Sequence, residues 1–124
     1  MDIHKVLKSF PHAFRGFHLA SQERNMRFHL IAMVIVVLAG FVFYIEILEW
    51  LILLICIALV ISLEAVNTAL EDVCNKLRDD LGLSYDSTKN ARDISAGAVL
   101  VSAIISSIIG LIIFVPKILL FLGL

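Results

Sequence analysis

The chain has 124 residues, about the length of one domain, with 60% apolar residues and a mean hydropathy of +0.99. Soluble domains carry roughly 45–50% apolar residues, and here the excess lies in three blocks, which excludes a single water-soluble core. A net charge of −1, with no Lys/Arg run, excludes a strongly basic nucleic-acid binder, so no nucleic-acid partner is expected.

Residues 1–22 are mixed. Ile3, Val6, Leu7, Phe10, Phe14 and Phe17 recur at steps of three and four, with Lys5, Lys8, His12 and Arg15 between them. That pattern predicts an amphipathic helix on a membrane surface, its basic groups toward lipid headgroups. Pro11 is expected to bend or restart it. The apolar block begins too late for a cleaved signal peptide. The charged step Glu23-Arg24-Asn25-Met26-Arg27 precedes a first transmembrane helix over 28–45, interrupted only by His29. His29 is read as packing or snorkelling at the interface. A tight turn with Trp50 as interfacial anchor leads to a second transmembrane helix over 48–70.

Asp72 to Asp93 is a polar segment with a break at Leu81-Gly82-Leu83-Ser84. A third transmembrane helix is expected over 94–115, ending at Pro116. Small residues from Ser95 to Gly110 line it and permit close packing against other copies of the chain. Lys and Arg precede the first span and lie between the second and third, and none lies between the first and second. The positive-inside rule therefore puts the N-terminus and the second connection in the cytoplasm. Cys56 and Cys74 lack metal-ligand spacing and read as free thiols.

The chemistry is concentrated where the second span ends. Trp50 to Leu63 has no charge, and then Glu64, Asn67 and Glu71 appear at steps of three and four. On a helix these share one stripe about 10 Å long. A carboxylate facing hydrocarbon costs about 2.5–3.5 kcal/mol, so Glu64 is expected to face a protein interior or a polar cavity. Glu23, Glu71, Arg92 and Asp93 fall at the cytoplasmic surface, with Glu64 deeper. Each has a structural alternative. Glu64 would be a hydrogen-bond partner, Asn67 interhelical glue, Glu23 and Glu71 solvated helix-end charges, and Asp93, beside Arg92, the N-cap of the third helix. No phosphate-binding glycine loop, dinucleotide fingerprint or zinc-protease motif is present.

Glu64-Ala65-Val66-Asn67-Thr68-Ala69-Leu70-Glu71, followed by Ala91-Arg92-Asp93-Ile94-Ser95-Ala96-Gly97-Ala98-Val99-Leu100, resembles the prokaryotic diacylglycerol kinase family. Glu23-Arg24-Asn25-Met26-Arg27-Phe28-His29-Leu30 and Ile112-Ile113-Phe114-Val115-Pro116-Lys117 are most similar to its undecaprenol kinase branch. The likeness runs from about Phe10 to Lys117. It implies an all-α integral membrane homotrimer in the bacterial plasma membrane, with active sites shared between neighbouring subunits. It also implies Mg²⁺-dependent transfer of the ATP γ-phosphoryl group to a lipid alcohol, undecaprenol or, alternatively, diacylglycerol. Carried over, Glu64 corresponds to the general base and Asn67 to an active-site polar residue. Glu23 and Glu71 correspond to the metal-holding carboxylates, and Arg92-Asp93 to a Lys-Asp pair near the nucleotide. Arg92 and Asn75 stand where relatives commonly carry Lys and Asp. Two non-enzymatic readings compete. An ion-coupled transporter would need a central, isolated Glu with water paths to both faces, and a catalytically silent subunit would bind no nucleotide.

Overall fold

The computed structural model describes residues 2–124, so Met1 of the expected surface helix lies outside the described residues. The chain forms four helices: α1 Ile3–Ala20, α2 Arg24–Val42, α3 Ile47–Leu81 and α4 Tyr85–Phe121. Three of them, α2, α3 and α4, are long and apolar enough to cross a membrane. At the usual rise, the 35 residues of α3 extend about 50 Å, well beyond a hydrocarbon layer of about 30 Å. Its polar end therefore stands clear of lipid.

Asp2 caps α1 by accepting from the His4 backbone N–H at 3.2 Å. Pro11 neither bends nor restarts the helix, which runs unbroken through it. Ile3, Leu7, Phe10 and Phe14 are exposed. The connection to α2 is short, with Glu23 in extended conformation as N-cap. Met26 in the first turn of α2 is completely buried.

The α2–α3 turn is built on close approach. The Ile45 N–H donates to the Gly40 carbonyl at 3.1 Å and the Tyr44 N–H to Phe41 at 3.4 Å, with Tyr44 at φ 50°. This is the wrapped helix end that usually takes glycine in the left-handed position. Gly40 is required for a different reason. A Cβ there would sit 2.6 Å from the Trp50 ring. Trp50, expected only as an interfacial anchor, thus also closes this turn and stacks on Phe41 at 4.9 Å between centroids. Glu49 steadies the start of α3 by accepting from the Glu46 N–H at 2.8 Å.

α3 and α4 form an antiparallel hairpin and make the most extensive helix contact, with α2 packed on α3. The polar segment is helical on both sides of its break, and Gly82 turns the chain at φ 67°. The third long helix accordingly starts at Tyr85, with Ser84 as N-cap, and not near Ile94. Asp93 is therefore a mid-helix residue and not a cap. Nor does Pro116 end the helix. Phe43, at the end of α2, packs edge-on against Phe114 at 6.4 Å and Phe121 at 6.1 Å. Lys117 bonds Glu49 of α3 at 2.9 Å. These contacts on both sides of the proline hold α4 straight on where the local signal says stop.

Candidate active site

The polar ends of α2, α3 and α4 meet at one end of the bundle. Glu64 and Asn67 are each 3% exposed, the most buried polar side chains among the described residues. Asn67 is fixed at both ends of its amide. Its Nδ2 donates to Glu71 Oε1 at 3.3 Å, and its Oδ1 accepts from Ser95 Oγ of α4 at 2.6 Å. The Asn67 bond fixes one oxygen of Glu71 and leaves Oε2 free to act as a ligand. The interhelical-glue reading of Asn67 is thus correct as far as it goes, and the same amide also orients a carboxylate.

Glu64 differs. It makes no hydrogen bond among the described residues, and the basic side chain nearest to it is His29 of α2, with Nε2 4.0 Å from Oε2. Neither carboxylate oxygen is fully sealed from the surface. Glu71 and Glu23 both lie close enough for their charge to act on it. Glu64 and Glu71 of α3 and Glu23 of the α1–α2 connection thus lie toward the same end of the protomer.

Directly below His29, a cavity of about 480 Å³ opens between α2, α3 and α4. Its walls include Phe28, Val36, Leu53, Val60 and Phe114, with His29 at the polar end. Its wall is mostly apolar, with Ser106 and Ser107 on α4, and its lining on α3 reaches Val60 and Ile61, about one turn before Glu64.

The other predicted residues separate. Arg92 turns inward, bonding Asn75 Oδ1 at 3.0 Å and Thr88 Oγ1 at 3.2 Å, with Tyr85 beneath its guanidinium at 5.1 Å. Asp93 points outward and is exposed. The Arg92-Asp93 dipeptide is adjacent in sequence and divided in space, as a step of one along a helix requires. Glu23 is exposed at the mouth. Among the described residues no three His, Cys, Asp or Glu side chains are placed to enclose a metal.

Four contributors were not picked out as site residues: His29, Ser95, Thr88 and Tyr85. Periodicity carries a signal for two of them. Thr88, Arg92 and Ser95 recur at steps of four and three on α4, facing Asn67, Glu71 and Asn75 at steps of four on α3. Nothing in the sequence pairs His29 with Glu64.

The family model of prokaryotic diacylglycerol kinase matches residues 11–114. The chain is 42% identical over 117 residues to the undecaprenol kinase of Bacillus subtilis, covering 94% of this chain and 93% of that one. It is 36% identical over 116 residues to a diacylglycerol kinase of Synechocystis, covering 92% of this chain and 65% of that protein. No solved structure matches it. A family model matched over residues 11–114, with a relative 42% identical over nearly the whole chain, leads to one assignment: this protein belongs to the prokaryotic diacylglycerol kinase family.

Proposed function

We propose that the protein phosphorylates the terminal hydroxyl of undecaprenol with ATP, giving undecaprenyl phosphate and ADP. The observation that carries this reading is Glu64, buried without a hydrogen-bond partner beside His29, a residue that itself lines an apolar cavity. An isoprenoid chain suits the apolar cavity by its chemistry, and its hydroxyl would then approach Glu64, about one turn beyond the lining residue Val60. Glu64 takes that proton as the lipid oxygen bonds the γ-phosphorus. The bond from phosphorus to the β–γ bridging oxygen breaks, and its electrons leave with ADP.

Mg²⁺ suits the donors present. It favours one or two carboxylates plus waters and phosphate oxygens over an all-protein cage. Glu71 presents one unengaged oxygen, and Glu23 is exposed in the α1–α2 connection. When bound, the ion would neutralise charge on the phosphates. Asn67, held by Ser95, keeps the Glu71 carboxylate turned toward it.

The site lies at the end of the bundle that carries the Lys and Arg residues of the α1–α2 and α3–α4 connections, which supports a cytoplasmic orientation with access to nucleotide. The exposed apolar residues of α1 and its basic partners support a helix lying on the membrane surface. Wide apolar exposure on α2, α3 and α4, with nothing within 4 Å of a notional Cβ at Gly97 or Gly110 of α4, supports packing into a homotrimer. Diacylglycerol is the second reading, favoured by the Synechocystis relative, since it presents a hydroxyl at similar depth. The test is transfer of label from γ-labelled ATP in mixed micelles, with the two lipids offered separately. Label on undecaprenol supports the proposal, label chiefly on diacylglycerol moves the substrate, and label on neither removes the kinase reading.

A further inference from the structure

His29 belongs both to the wall of the apolar cavity and to the surroundings of Glu64. Its side chain is 17% exposed, and its Nε2 stands 4.0 Å from Glu64 Oε2. Neither side chain makes a hydrogen bond among the described residues, and no polar atom of either is fully sealed. The two hydroxyls on the cavity wall, Ser106 and Ser107, lie about three turns along α4 from Ser95, the residue that bonds Asn67. They are therefore not level with Glu64, and His29 supplies the polar group at that height.

A separation of 4.0 Å is too long for a direct hydrogen bond. It matches the span that one oxygen bridges, at about 2.8 Å from each atom with about 90° between the two contacts. An ionised carboxylate only accepts, and an imidazole N–H donates. A hydroxyl answers both at once, because it donates through its hydrogen and accepts through a lone pair. An ether or a ketone answers only the imidazole.

Resting on the kinase reading above, we infer that His29 is a second residue in contact with the lipid hydroxyl, its Nε2–H donating to the oxygen whose hydrogen is donated to Glu64 Oε2. The four directions at that oxygen are then all assigned. One holds the lipid carbon, one the hydrogen turned to Glu64, one a lone pair turned to His29, and the last a lone pair left for the γ-phosphorus. As transfer proceeds, the O–H bond breaks with its proton passing to Glu64, and the oxygen–phosphorus bond forms. The bond from phosphorus to the β–γ bridging oxygen breaks with its electrons leaving on ADP. His29 keeps its own proton throughout and contributes orientation.

The full-length protein in mixed micelles would be assayed for kcat and, separately, for KM of the lipid alcohol and of MgATP. His29→Leu is expected to lower kcat/KM for the lipid about 5–20-fold, with KM for MgATP changed less than about twofold. Gln carries an amide nitrogen near the position of Nε2, and Asn carries one near Nδ1. His29→Gln is therefore expected to recover most of the loss and His29→Asn little of it. A residue that merely propped Glu64 would give the same order, so the deciding probe is the methyl ether of the lipid alcohol, added as an inhibitor. It accepts from His29 and has no proton for Glu64. Its inhibition constant is expected to rise about 3–10-fold in His29→Leu, while that of the parent hydrocarbon, which lacks the oxygen, stays within about twofold. Equal effects on ether and hydrocarbon overturn the inference, as does a folded His29→Leu protein with wild-type kcat/KM for the lipid. Should His29→Leu not fold, the ether and hydrocarbon measured in His29→Asn against His29→Gln decide by the same comparison. If the wild type transfers phosphate to neither lipid, the proposed function fails first, and the two failures are told apart.

Discussion

At the scale of the residue, the site depends on how differently three carboxylates are held. Glu71 is oriented by Asn67, Glu23 stands in solvent at a helix start, and Glu64 is buried without a bond. Glu64→Gln keeps the shape and removes the proton acceptor. We expect phosphoryl transfer to fall by about 10²–10⁴-fold, read as label on lipid, while thermal stabilisation by ATP persists. Loss of both together would assign Glu64 to binding and not to proton transfer. Chelating Mg²⁺ should abolish transfer reversibly. Activity that survives EDTA would leave Glu23 and Glu71 without the role given to them here.

At the scale of the element, two contacts hold the end of the bundle remote from the site. Gly40 lets Trp50 lie against the backbone of α2, and a methyl there would meet ring carbons at 2.6 and 2.8 Å. Gly40→Ala should destabilise the protein by about 1–3 kcal/mol, seen as a lowered Tm in detergent, because neither the ring nor the turn has room to yield. The Lys117–Glu49 bond joins two side chains each 25% exposed. Partial solvation limits its worth, so Lys117→Met should lower the Tm only slightly. A larger loss would mean that this pair, and not the Phe43 contacts, carries α4 past Pro116.

At the scale of the molecule, the single chain is incompletely covered. Many large apolar residues on the three long helices are exposed, including faces of α4 lined by small side chains. Lipid covers some of this surface, and other copies are proposed to cover the rest. Gly97 has no neighbour within 4 Å of a notional Cβ, so Gly97→Leu should leave the protomer's helix content intact. Native mass measurement of the wild type should give a trimer, and the variant a smaller species. An unchanged trimer in the variant would place the interface elsewhere.

Much of this was legible in the sequence because the bilayer imposes strong rules. Long charge-free runs must become helices, since an unsatisfied backbone group in hydrocarbon is costly, and Lys and Arg asymmetry marks one end. The stripe of Glu64, Asn67 and Glu71 follows from helix periodicity alone. Helix ends were less legible. Pro116 and the polar run before Ile94 are local signals, and contacts from Phe43, Glu49 and Asn75 on other helices outweighed them. The partners of the site residues were least legible of all. His29 approaches Glu64, Ser95 grips Asn67 and Asn75 grips Arg92 across gaps of 35, 28 and 17 residues. By itself, the sequence determined three helices long enough to span and where along them charge is tolerated, because both depend on composition and a fixed helical period. Only the tertiary structure decided which carboxylate lacks a partner and that Arg92 turns inward while Asp93 turns out. Those properties depend on how the helices pack side by side, and no spacing along one chain encodes that directly.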